Sequence, residues 1–104
     1  MIMKVYKLTT QDMTTHGDCR WVRGKTKETS GEGGLCGPGW LHWYSDPLLA
    51  VIHNPVHADI QNPRLFAARA SGKVKRDSAM KSGSTRLTLT REIPLPVVST
   101  ESRA

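Results

Sequence analysis

Two stretches near the end of the chain, Leu65 to Arg76 and Thr85 to Ile93, alternate apolar and polar residues with the two-residue period of a half-buried strand. The turn-forming segment between them, Asp77 to Ser84, makes the pair an antiparallel hairpin in prediction. Setting Val74 across from Leu87 places Phe66, Ala68, Ala70, Val74, Leu87, Leu89 and Ile93 on one face, where they can cover a core. The other face then carries Arg69, Lys73, Lys75 and Arg86, with Thr88 and Thr90 among them. A slip of one residue would drive those cations into the core, so apolar pattern and charge select the same register.

The earlier pattern is weaker. Ile2 to Leu8 reads as a first strand, ended by the polar run Thr9 to Asp12, and Cys19 to Val22 and Trp40 to Tyr44 read as two more. Ser30 to Gly39 holds five glycines and a proline, so it is predicted to be a long loop. Asp46-Pro47 predicts a helix start, because the carboxylate can accept an orphan backbone N–H and proline suits the first helical position. The helix should run from Pro47 to about His53 and end at Asn54-Pro55, since the residue before proline is pushed out of helical geometry. Val56 to Pro63 should be irregular. The expected fold is a single α+β domain over residues 1–93: an antiparallel β-sheet with one short helix and a C-terminal β-hairpin. Residues 94–104 are expected to form a mobile tail.

A length of 104 residues supports one domain, and no stretch approaches the roughly 20 apolar residues of a membrane helix, so no membrane partner is expected. Two cysteines and an opening Met-Ile-Met-Lys without a long apolar core favour a cytoplasmic location. The formal net charge is +6 and unevenly placed. Basic and acidic side chains cancel over residues 1–63, and residues 64–92 carry the whole excess. That asymmetry points to a phosphate-bearing or acidic partner.

Each candidate chemistry has a bland counterpart. His16, Cys19, Cys36 and His42 are all residue types that zinc accepts, but without a paired Cys-x-x-Cys they read more simply as packed thiols and locally bonded imidazoles, and no metal is expected. Pro55 separates His53 from His57 and excludes the helical zinc-protease geometry. The glycines of Gly31 to Gly39 lack a following Lys-Ser or Lys-Thr and precede a strand, which argues for a connecting loop and against a phosphate loop. Cys36 with His42 is a poor nucleophile-base pair, with only Asp46 nearby to orient the base. Trp40, Trp43 and Tyr44 serve either as core or, with a ring exposed, as a stacking platform. Arg69, Lys73, Lys75 and Arg86, extended by Lys81 and Arg76 at the turn, form the leading candidate: a patch that engages nucleic acid or an acidic protein surface.

Tyr6-Lys7, Cys19-Arg20-Trp21 with Gly24-Lys25, Leu35-Cys36-Gly37-Pro38-Gly39-Trp40-Leu41-His42, Asp46-Pro47-Leu48, Arg64-Leu65-Phe66 and Thr85 to Glu92 together resemble a family of small phage, prophage and bacterial proteins of unknown function. The resemblance spans about residues 4 to 93. It implies a small accessory protein acting in the host cytoplasm without a cofactor, of the kind that binds and blocks a host defence nucleoprotein, as anti-CRISPR proteins do. The strand-then-helix signature is also similar to the central piece of ADP-ribosyltransferase-like folds, which implies as an alternative a nucleotide cleft near Tyr6, Trp40, His42 and Glu92. A zinc-stabilised structural domain is the third reading.

Overall fold

The computed structural model describes residues 2–15, 19–34, 39–53, 60–76 and 82–96. Its elements are β1 (Met3–Thr9), β2 (Thr14–Thr15), β3 (Cys19–Arg20), β4 (Thr26–Glu28), β5 (Leu41–Trp43), α1 (Pro47–His53), β6 (Arg64–Arg76) and β7 (Ser82–Ile93). All pairings are antiparallel: the main sheet runs β1-β6-β7-β4, β5 also pairs with β7, and β2 and β3 form a separate small ribbon. With one short helix, this is the α+β architecture that the alternation and the Asp46-Pro47 start predict.

The hairpin register differs from the expected one. Ala70, not Val74, stands across from Leu87, and Val74 pairs with Ser84. An even displacement keeps the same side chains on the same face, so Phe66, Ala68, Ala70, Leu87 and Leu89 still share one buried cluster. Irregularities between Ala67 and Ala68 and between Ser71 and Val74 shift the register by one residue each and break the simple alternation. Val74 is left 41% exposed, while Ile93 packs with Leu8, Ala50 and Leu65 on the opposite side of the sheet.

The second irregularity bends the hairpin. Gly72 has φ +79, in the left-handed region that favours glycine, and a Cβ there would collide with Thr85 Oγ1. That hydroxyl accepts a hydrogen bond from the Lys73 backbone N–H at 2.9 Å, satisfying a donor that the bulge removes from the ladder. Beyond the bend the end of β6 curls back over the start of β1: Arg76 Nη2 is 3.9 Å from Met3 Sδ. β5, paired to the first residues of β7, continues to Tyr44, whose backbone exchanges hydrogen bonds of 2.7 and 2.8 Å with Tyr6 of β1. The path β1–β6–β7–β5 thus returns to β1 as a small barrel-like ring, which encloses one face of the sheet.

The enclosed face holds Val5, Trp21, Leu41, Trp43, Phe66, Ala68, Ala70, Leu87 and Leu89. Alanines on central β6 leave room for the indoles. Both rings satisfy their N–H: Trp43 Nε1 donates to Ser84 Oγ at 3.0 Å and Trp21 Nε1 to Thr15 Oγ1 at 3.0 Å. Lys7 on β1 and Lys27 on β4 direct their ammoniums to 5.4 and 5.5 Å from the Trp21 ring. On terminal β4, an inward lysine such as Lys27 is also a device against edge-to-edge pairing.

α1 covers part of the outer face, burying Ala50 against Leu8 and Leu65. Asp46 Oδ1 accepts from the Leu48 N–H at 2.8 Å, as the N-cap reading predicts. The glycine-rich loop joins β4 to β5, and its described part is pinned by Gly31 N–H donating to Gly39 O at 2.8 Å and Trp40 Nε1 donating to Gly33 O at 3.1 Å. β2 and β4 were not anticipated, being short and polar. Residues 56–59 of the expected Val56 to Pro63 connection and most of the expected tail lie outside the described residues, and residues 60–63 are irregular, as expected.

Two substitutions separate bend from conformation. Gly24 also has a positive φ, +83, but open space around it. In denaturant unfolding, Gly24→Ala should cost about 1–2 kcal/mol for the left-handed backbone, and Gly72→Ala that much plus about 1–3 kcal/mol for the collision with Thr85. Equal losses would show that the bend tolerates a side chain. Asp46→Ala should cost about 1 kcal/mol through the lost cap.

Candidate functional site

Among the described residues the outer face of the sheet beyond α1 is open, and cations gather there. The register sets Lys4, Arg69, Thr88 and Thr26 in one row across β1, β6, β7 and β4. The next row contains Ser71, Arg86 and Glu28, and the row on the α1 side contains Tyr6, Ala67 and Arg91. Lys4, Arg69, Arg86 and Arg91 are exposed. Three intervals of about 4.8 Å make the first row roughly 14 Å wide. Within it, Thr26 and Thr88 make a 2.6 Å hydroxyl contact.

The charge within these rows is only partly neutralised. Arg86 Nε lies 3.2 Å from Glu28 Oε2 in an exposed pair. Lys4 and Arg69 stand directly opposite each other, and neither they nor Arg91 has a carboxylate partner among the described residues. Like charges directly across an antiparallel pair destabilise it.

The cations read from the sequence as one patch fall into separate settings. Arg69 and Arg86 share the open face. Lys75 lies over Trp40, its ammonium 5.7 Å from the ring, and Arg76 lies over Trp43 at 5.5 Å. As strand neighbours Lys75 and Arg76 point to opposite sides, so they do not extend one surface. The Lys73 stem passes Gly31 of the glycine-rich loop, and Lys81 is outside the described residues. Lys4 and Arg91 were missed as members of the face. The signal for Lys4 was its place on the β1 side that also holds Tyr6 and Leu8, but the β1–β6 register that sets it beside Arg69 was not legible.

Tyr6, Trp40, His42 and Glu92 do not line one cleft among the described residues. Tyr6 packs beside Leu8 and Leu65 near α1. His42 is across from Gly83 near the start of β7, and Trp40 is buried beside it. Glu92 is near the other end of β7, where its carboxylate takes hydrogen bonds from Arg64 at 2.7 and 3.2 Å. The Arg64 hydrogen bonds, together with the charges of Arg64 and Arg23, hold the Glu92 carboxyl below the usual carboxylate range. Burial pushes the Tyr44 phenol up to about 12, so it stays neutral at physiological pH. Trp40 and Trp43 are 8% and 1% exposed, so neither ring presents the open face that a stacking platform needs.

Cys19 packs, half-buried, against the enclosed cluster, whereas His16 and Cys36 lie outside the described residues. Among the described residues no three His, Cys, Asp or Glu side chains converge in a metal-binding group. No described helix is long and apolar enough to cross a membrane.

A family model for a domain of unknown function, DUF7666, matches residues 3–101. The chain belongs to the DUF7666 family. Nothing among curated proteins or solved structures matches it. The matched span contains every element of this DUF7666 domain, including the open cationic face.

The Glu92 pair makes a pH prediction. A carboxyl lowered in the folded state contributes stability above its ordinary pKa and loses it as pH falls through the folded value. Asp12, lowered by hydrogen bonds from Thr10 and Thr14, acts in the same direction. The Tm should therefore drop as pH falls below about 4, and Glu92→Gln should make that acid limb shallower. An unchanged limb would show that the pair does not form in solution.

Proposed function

We propose that this DUF7666 domain is a non-enzymatic binding module whose open outer face engages a polyanion, in first place nucleic acid. The observation that carries the reading is the Lys4–Arg69 pair: two exposed cations in direct cross-strand register, without a carboxylate partner among the described residues. Phosphates set between them would convert a mutual repulsion into two charge-assisted contacts. Arg86 and Arg91 widen the same field, and Arg86 has only an exposed ion pair to exchange. An ordered sheet positions these groups without folding on binding, which lowers the entropic cost of association.

The resemblance to phage and prophage proteins extends the reading to a cytoplasmic inhibitor of a host defence nucleoprotein, anti-CRISPR-like, that competes for the nucleic acid or docks on an acidic surface beside it. Both roles use the same cations.

The test is charge reversal at the face. Lys4→Glu with Arg69→Glu should weaken binding to DNA by at least tenfold and reduce the magnitude of the log-affinity versus log-salt slope by about 2, one per lost phosphate contact. Arg20→Glu with Lys25→Glu makes the same change in net charge at exposed positions off this face and should leave the slope unchanged. Equal responses from the two double variants would reduce the interaction to net charge alone and sink the reading.

A further inference from the structure

Resting on that reading, we infer that the open face binds the phosphate backbone of a duplex, irrespective of sequence, in preference to a single strand. The inference comes from what the face contains and what it lacks. Non-specific single-strand binding depends on rings on which successive bases stack. Here Trp21, Trp40, Trp43 and Phe66 are all buried, and Tyr6 packs beneath α1 with Leu8 and Leu65. The indole N–H groups are occupied by Thr15, Gly33 and Ser84. Cations cover several of these rings as well: Lys7 and Lys27 at Trp21, Lys75 at Trp40 and Arg76 at Trp43. The one aromatic residue on the rows that carry the charge is Tyr6, half-buried against Leu8, Ala50 and Leu65, so unstacked bases would find no fully exposed ring there.

What remains is a fixed set of four cations, Lys4, Arg69, Arg86 and Arg91, with threonine hydroxyls among them. Such a surface gains from charge density, and a duplex has a phosphate about every 1.7 Å of its axis, against about 3.4 Å for each strand. The described helix on this side of the sheet, α1, is one short segment packed down through Ala50 and has no Lys or Arg, so no basic helix enters a groove and base edges are not read. Four phosphate contacts on duplex DNA give a salt slope of about −3.6, an affinity loss of about 150-fold between 50 and 200 mM salt.

The experiment measures binding of the full chain to a 20-base-pair duplex, a duplex of shuffled sequence, a 20-nucleotide single strand and poly-L-glutamate, each at several salt concentrations. The inference expects both duplexes to bind equally, at least fivefold tighter than the single strand, with a slope near the value above and no comparable affinity for poly-L-glutamate. Tighter binding of the single strand, or a clear difference between the two duplexes, would overturn the duplex preference while leaving the polyanion reading intact. Poly-L-glutamate as the tightest ligand would overturn the choice of nucleic acid in favour of an acidic protein partner. Binding to none of the four would overturn the polyanion reading itself.

Discussion

The fold depends on one break in one ladder. Between Ser71 and Val74 the β6–β7 hairpin gains an irregularity in which Gly72 adopts a left-handed backbone and Thr85 takes the place of a ladder partner for the Lys73 N–H. A straight hairpin of this length would leave the aliphatic face of β6 open to water. Because the ladder bends there, the far arm returns over β1, β5 can bridge from β7 to Tyr6, and Trp43 enters a core whose other walls come from β1 and the near half of the hairpin. The Trp43–Ser84 hydrogen bond and the Arg76 contacts lie on that returning arm, so they form only after the bend.

The bend also divides the basic residues into two chemical populations. On the returning arm and at the core's margin, Lys7, Lys27, Lys75 and Arg76 lie over indole rings, where a cation–π contact is worth about 0.5–1 kcal/mol at an exposed site. On the open outer face, Lys4, Arg69 and Arg91 have neither a ring nor a carboxylate partner among the described residues. The first population is explained by packing. The second costs stability, and the proposed function follows from that difference rather than from total charge.

The same division sets the tryptophans with the core, apart from the open cations. Tryptophans that carry satisfied N–H groups and buried faces are structural members, and Glu92 is neutralised by Arg64 at the far end of β7 from His42. Membership of the DUF7666 family accounts for the shared span and leaves the chemistry to be read from the face itself.

Much of the secondary structure was legible because local rules govern it. Period-two alternation located the long hairpin, Asp46-Pro47 fixed the start of α1, and five glycines marked the β4–β5 loop. The apolar set Phe66, Ala68, Ala70, Leu87 and Leu89 was also readable, since a register error of even size does not change which way a side chain points. The bulges were not readable: at one the Thr85 hydroxyl accepts from the Lys73 N–H, at the other the Thr90 hydroxyl donates to the Ala67 carbonyl, and no single stretch encodes either meeting. Consequently the fates of Val74, Ile93, Lys75 and Arg76 were decided only in three dimensions, and so was the meeting of Lys4 with Arg69, residues 65 positions apart in the chain. Sequence alone determined where the charge is concentrated and which residues can form strands. Tertiary structure decided which cations stand together, because cross-strand register and sheet curvature are properties of paired segments rather than of either one.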